Sequence, residues 1–146
     1  MTERIRVLLA DDHNVVRAGL HAVLATEPDL AVVGECATAE EAVRLAAAGD
    51  VDVVLMDLQF GDGMDGATAT AAITAAADAP RVLVLTTYDA DADILAAIEA
   101  GASGYLLKDA APDDLTHAIR AAANGRPALA PSVANRLMDR MRNRGS

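Results

Sequence analysis

Val51-Asp52-Val53-Val54-Leu55-Met56-Asp57 is the stretch on which the fold turns. Apart from Asp52 it is apolar on consecutive positions until the final Asp57, as expected of a strand covered on both faces rather than wet on one. The pattern predicts a strand over Val51–Met56. Alanine-rich helical stretches stand on either side. Upstream is Ala39–Ala48, with Thr38 as a cap, Glu40 and Glu41 in the first turn, and Gly49 as a stop. Downstream is Ala67–Ala77, reached through the glycine-rich loop Leu58–Gly66.

The alternation runs outward to both ends. Ile5–Ala10 reads as a first strand and Asn14–Ala25 as a helix, with Val15, Val16, Leu20, Val23 and Leu24 at helical spacing. Leu30–Gly34 is a second strand that continues to Cys36. Beyond the third unit come a fourth strand, Arg81–Leu85, and a helix over Ala92–Ala100 ended by Gly101. A short fifth strand, Gly104–Leu107, precedes a helix from Pro112 to about Ala123, closed by Asn124-Gly125. Five β-then-α units call for a parallel sheet with helices on both faces. Ligands of such a sheet sit beyond the carboxyl ends of the strands, at the switch point.

Composition narrows the function classes. The 146 residues are 53% hydrophobic and 23% charged, enough for one core and against general disorder. The apolar runs fall far short of the roughly 20 residues that cross a bilayer. No secretory leader pattern opens the chain, and one cysteine excludes an internal disulfide framework. The cytoplasm is the expected compartment, with no membrane partner. Residues 1–114 hold 21 acidic and 6 basic side chains, a balance of −15 that would repel a phosphate backbone. Residues 115–146 hold 1 acidic and 6 basic side chains, a balance of +5. There Pro127 and Pro131 bracket a linker, and Ser132–Arg144 is expected to form one more helix, amphipathic but without a fold of its own. With two Tyr, one Phe and no Trp, the chain offers no base-stacking platform and few rings for a flavin.

Chemistry concentrates at the strand ends. The first strand ends in Asp11-Asp12, the third in Asp57 and the fourth in Thr86-Thr87; Lys108, the one lysine against eleven arginines, follows the fifth. If the first and third strands are neighbours, three carboxylates converge. Like charges so close take up protons or demand a cation. An oxygen-seeking divalent ion, Mg²⁺ before others, resolves this together with Lys108. One carboxylate then remains a nucleophile toward phosphorus, with the metal neutralising the phosphoryl oxygens and with Lys108 and the Thr86 hydroxyl holding them afterwards. Blander readings stand beside these. Asp12 or Asn14 could simply cap the first helix, Thr87 reads as structural, and Tyr105 could be a packed strand aromatic. The three histidines share no ligand spacing, and only His13 lies near the pocket.

Several of these stretches resemble the receiver domains of two-component response regulators. Val7-Leu8-Leu9-Ala10-Asp11-Asp12-His13 is similar to the family's first strand and acidic pair, and Val53-Val54-Leu55-Met56-Asp57-Leu58 to its phosphoacceptor strand. Val84-Leu85-Thr86-Thr87-Tyr88 and Gly101-Ala102-Ser103-Gly104-Tyr105-Leu106-Leu107-Lys108-Asp109-Ala110 resemble the NarL/FixJ-type branch. The resemblance implies a flavodoxin-like, doubly wound five-stranded sheet in the order 2-1-3-4-5. It also implies that Asp57 accepts the phosphoryl group, and that Asp12, Asp57 and the Gln59 carbonyl bind Mg²⁺ directly, with Asp11 acting through water. Thr86 and Lys108 would contact the phosphoryl oxygens, and Tyr105 would be the aromatic switch. One segment departs from the pattern. Phe60-Gly61 stands where the family often has Met-Pro, and Gly66 follows Asp57 by nine residues rather than eight.

The function so implied is a phosphorylation-controlled switch in transcription regulation, charged by a sensor histidine kinase or a small donor such as acetyl phosphate. Residues 1–124 would be the receiver and 125–146 a linker with an amphipathic helix, the DNA-binding output domain lying outside this chain. Self-association would use the first and fifth helices, or the face of helix 4, strand 5 and helix 5. Alternatives are a stand-alone receiver or an aspartyl-nucleophile phosphatase. The phosphatase is disfavoured because Gln59 cannot protonate a leaving group, so no enzyme activity is expected.

Overall fold

The computed structural model describes residues 4–61, 63–86, 91–126 and 128–129, with the backbone alone at 91–94 and 128–129. Strands β1 (Ile5–Ala10), β2 (Leu30–Cys36), β3 (Val53–Asp57), β4 (Arg81–Thr86) and β5 (Gly104–Leu107) alternate with helices α1 (Asn14–Ala25), α2 (Ala39–Ala47), α3 (Gly66–Thr74), α4 (Asp91–Glu99) and α5 (Pro112–Ala123). A two-residue strand, β6 (Ala128–Leu129), completes an all-parallel sheet in the order β2-β1-β3-β4-β5-β6. The expected order of five strands is present, and the sixth corrects the count. Two residues carry no period by which a strand can be read. The expected helix over Ser132–Arg144 and the reading of Thr87 lie outside the described residues.

The sheet is packed on both faces, as the run through β3 requires. Every residue of β3 is buried. On one side Leu8, Val54, Met56, Val82, Val84 and Tyr105 meet the alanines of α2, α3 and α4; on the other Val7, Leu9, Leu55, Leu83 and Leu106 meet α1 and α5. Small residues at Ala39, Ala42, Ala46, Ala97, Ala118 and Ala122 let the helices lie close on the sheet. Among the described residues no helix is long and apolar enough to cross a membrane.

Local chemistry fixes the element ends. Thr38 accepts the Glu41 N–H at 3.2 Å, as its sequence position predicts for a cap. Helix α3 stops three residues earlier than its alanine run suggests. Its last turn tightens, Ala76 N–H reaching the Ile73 carbonyl at 3.3 Å, and the Thr74 hydroxyl donates across to the Ala100 carbonyl of the α4 terminus at 2.7 Å. At the end of α5, Gly125 adopts φ +76°, and the Gly125 and Arg126 amides bond back to the Ala122 and Ala121 carbonyls at 3.0 and 2.9 Å. This left-handed closure turns the chain back along β5.

Helix α5 is pinned in its last turn by Arg120, whose guanidinium donates to both Asp29 oxygens at 2.9 and 3.0 Å and lies 3.2 Å from Glu27. The hydrogen bond from Arg120 holds the Asp29 carboxyl below its ordinary value of 3.8. A depressed folded-state pKa stabilises above the unfolded value and is lost on acidification. We therefore expect Arg120→Met to melt below the parent at pH 7, with the gap narrowing as pH falls below about 4. Thermal midpoints for both proteins across pH 3–7 check this; a gap that stays constant would mean the ion pair carries none of the difference.

Candidate functional site

Parallel pairing gathers the acids. Strands β1 and β3 are hydrogen-bonded neighbours with Ala10 opposite Met56, so the next residues, Asp11 and Asp57, emerge side by side at the carboxyl edge. Both are buried. Lys108 arrives from β5, two strands beyond β3, its backbone N–H held by the Thr86 carbonyl at 2.8 Å. Its Nζ reaches across to Asp11 Oδ2 at 2.8 Å and Asp57 Oδ1 at 3.2 Å. Lys108 is not a solvated lysine: its side chain is 11% exposed.

The two oxygens of Asp57 are unequal. Oδ1 takes the ammonium and the Gln59 N–H at 3.2 Å, whereas Oδ2 is buried with no hydrogen-bond partner. A buried carboxylate oxygen in that state costs on the order of 1–3 kcal/mol. Burial pushes the Asp57 carboxyl above its ordinary 3.8, and the Asp11 charge adds to this against the opposing pull of Lys108. At Lys108 burial acts downward, but the Asp11 hydrogen bond and the charges of Asp57 and Asp11 outweigh it and hold the ammonium above 10.5. The pair is thus a lysine kept charged between two acids that it does not fully neutralise.

Asp12 and His13 complete the cluster. One ligand atom from each of Asp11, Asp12, His13 and Asp57 lies within 4.8 Å of the others. His13 Nδ1 is 2.9 Å from Asp12 Oδ1 and 3.2 Å from Asp11 Oδ1, and the His13 N–H donates to Asp11 Oδ1 at 2.8 Å. Helix α1 begins after His13 without a side-chain cap, so neither Asp12 nor Asn14 serves as one. His13 is the site residue that sequence reasoning placed nearby but left outside the set; its adjacency to the acidic pair was the available signal. The donor set, three carboxylates with open lone pairs, fits a hard divalent cation such as Mg²⁺.

The loop after β3 lies against these acids. A Cβ on Gly61 would stand 3.8 Å from Asp12 Oδ2, so this backbone passes beside the acidic pair. Asp65 caps α3, its Oδ1 accepting the Thr68 N–H at 2.8 Å. Gly66 packs directly on the end of β3, where a Cβ would fall 2.1 Å from the Asp57 carbonyl oxygen. No other residue fits there. Thr86 is buried at the end of β4, and Tyr105 is wholly buried in the core under α2, α3 and α4. Of the predicted residues, Asp11, Asp12, Asp57 and Lys108 come together in one cluster, with Gln59 joined through its amide and Thr86 through its carbonyl.

Because burial raises the Asp57 carboxyl above its unfolded value, the ionised form costs stability once pH passes the ordinary carboxylate range. In metal-free buffer at pH 7, Asp57→Asn is expected to raise the melting midpoint by on the order of 3 °C, roughly what 1 kcal/mol is worth in a domain of this size. Differential scanning calorimetry reads this directly; a lowered midpoint would mean that the Lys108 pairing outweighs burial.

Known proteins match this arrangement closely. The family model described as the response regulator receiver domain matches residues 7–120. The transcriptional regulatory protein LiaR of Bacillus subtilis is 45% identical over 141 residues, covering 97% of this chain and 66% of LiaR. The chain thus spans just under two thirds of that relative's length. Among solved structures, the response regulator ChrA of a heme-sensing two-component system superimposes with TM-score 0.78 at 51% identity, over 94% of this chain and 65% of that one. A LuxR-family two-component response regulator from Aurantimonas gives TM-score 0.87 at 39% identity, over 95% and 99%. Sequence, sheet order and the acid–lysine cluster agree: the chain belongs to the response regulator receiver domain family, on its NarL/LuxR-type branch.

Proposed function

We propose that Asp57 is the phosphoacceptor of this receiver, and that its charging with a phosphoryl group drives the switch. The observation that carries the reading is Asp57 Oδ2, a buried carboxylate oxygen without a partner inside a cluster of acids and one ammonium. Receiver domains act with histidine kinases, and a phosphohistidine of such a kinase is the proposed donor, with acetyl phosphate as a small substitute. A carboxylate oxygen of Asp57 attacks phosphorus, the new O–P bond forms as the P–N bond breaks, and the electron pair returns to the imidazole, which takes up a proton. With acetyl phosphate, acetate leaves instead.

Each side chain has a task in this reading. Asp12 and Asp57, with the Gln59 carbonyl, would hold Mg²⁺ directly, and Asp11 would act through water. The bound ion supplies charge neutralisation for the phosphoryl oxygens. Lys108, already between Asp11 and Asp57, follows the negative charge onto the phosphoryl group. The modification replaces the single carboxylate charge at this position with up to about two on the phosphoryl group. Thr86 is then drawn to a phosphoryl oxygen and Tyr105 moves into the space released, shifting the balance between two conformations by a few kcal/mol.

The proposed output lies beyond the receiver. Residues 1–124 are read as the signalling domain and 125–146 as linker and amphipathic helix. By likeness to LiaR, a transcriptional regulatory protein, the switch would control a DNA-binding output domain of the full-length protein. Self-association is proposed through α1 and α5, where Val15 is 85% exposed, or through the α4–β5–α5 face. The chain is read as a cytoplasmic switch rather than an enzyme.

Intact-mass spectrometry after acetyl phosphate treatment tests the core of this. We expect a gain of about one phosphoryl mass that requires Mg²⁺ and is absent in Asp57→Asn. The same gain in the variant would place the acceptor elsewhere.

A further inference from the structure

Arg17 stands on the first turns of α1, behind the acidic pair, and its contacts converge on it. Its guanidinium donates through Nη1 to the backbone carbonyl of Asp11 and through Nη2 to the Asn14 side chain. Its Nε faces Glu35 Oε1 at 3.5 Å, and its own N–H bonds to the His13 carbonyl at 3.0 Å. The side chain is 16% exposed, far less than the other paired arginines of the surface, such as Arg6 at 45% and Arg120 at 37%. One planar cation thus grips the turn that carries Asp11, Asp12 and His13, and ties it to the adjacent strand.

The strand side of this grip depends on an irregularity. Strand β2 pairs with β1 in register from Ile5–Leu30 to Val7–Val32, then skips Val33, so that Leu8 faces Gly34, Leu9 faces Glu35 and Ala10 faces Cys36. Side chains alternate along a strand, and one extra residue exchanges the two faces for everything after it. Without the skip Glu35 would lie opposite Ala10, on the α2 side. With it, Glu35 shares the face of Leu9, under α1, where both Arg17 and His21 reach it, His21 Nδ1 at 3.2 Å from Oε2. Gly34 permits the close crossing, since a Cβ there would come 3.2 Å from Leu8 Cδ1. The bulge therefore aims an anion at Arg17.

We infer that Arg17 is a positioning residue for divalent-cation binding: held by Glu35, it fixes the backbone of Asp11 and so the direction in which Asp11 and Asp12 present their carboxylates. It touches neither ion nor phosphoryl group. The physical reason is general, since loss of a group that orients metal ligands typically costs 10–100-fold in metal affinity. The inference rests on the proposed Mg²⁺ site, and its test separates the two.

Mg²⁺ titration by isothermal calorimetry on the full chain supplies the measurement, beside metal-free melting curves and the rate of acetyl phosphate labelling. Arg17→Met is expected to weaken Mg²⁺ binding by about 10-fold or more. It should slow labelling at limiting Mg²⁺, with most of the rate recovered when Mg²⁺ is raised. Glu35→Gln should shift affinity the same way by a smaller factor, because the bulge still delivers the side chain but without its charge. Arg120→Met, which removes a bidentate ion pair on α5 far from the cluster, should lower the melting midpoint and leave Mg²⁺ affinity unchanged. Parent-like affinity in Arg17→Met overturns the inference, as does an equal loss in Arg120→Met, which would reduce the effect to general destabilisation. Failure of the underlying site would look different: the parent itself would bind no Mg²⁺, or Asp12→Asn would bind as the parent does.

Discussion

Two buried carboxylates share one ammonium, and that imbalance organises this protein. Asp11 and Asp57 sit at the ends of neighbouring strands, and Lys108 bonds to both. At an effective dielectric of about 20, repulsion between two charges about 4 Å apart is roughly 4 kcal/mol, which Lys108 offsets while leaving the trio with one net negative charge in a partly desolvated pocket. Burial first, and the Asp11 charge second, raise the Asp57 carboxyl, and its Oδ2 is buried without a hydrogen-bond partner. A pocket left short of positive charge is what the proposed divalent ion and phosphoryl group would meet.

Backbone geometry supplies much of what holds the pocket in place. Parallel register sets Asp11 beside Asp57, and the Asp11 N–H is in turn fixed by the Cys36 carbonyl at 3.1 Å. Gly66 presses on the Asp57 carbonyl at a distance that excludes any side chain. The bulge at Val33 turns Glu35 toward α1. Together they leave the carboxylates little freedom to relax apart, which is how a repulsive arrangement persists in a folded protein.

Legibility in the sequence followed periodicity and composition. The consecutive apolar residues of β3 revealed a strand buried on both faces, and the β-then-α rhythm dictated a parallel sheet, because both are patterns spread over many residues. The pocket acids were readable because parallel topology sends every strand's carboxyl end to one edge, and Lys108 because no other lysine exists in the chain. What escaped depends on single crossings. The skip at Val33 looks like any other residue of a hydrophobic strand, β6 is too short to carry a pattern, and Arg17 sits on α1 like any helical arginine. Asp12 as a cap and Asp12 as a cluster member are indistinguishable until the start of α1 is seen to lack a side-chain bond.

Strand β5 is where the site meets the rest of the molecule. Lys108 follows it directly, and Tyr105 lies three residues earlier, wholly buried. One edge of β5 is bonded to β4, with Thr86 opposite Leu107; the other is bonded to β6, with Tyr105 opposite Leu129. The strand thus carries Tyr105 in its middle and leads directly into Lys108, with both edges bonded. Lys108, which follows β5, and the segment that follows α5 are thus brought beside one short strand.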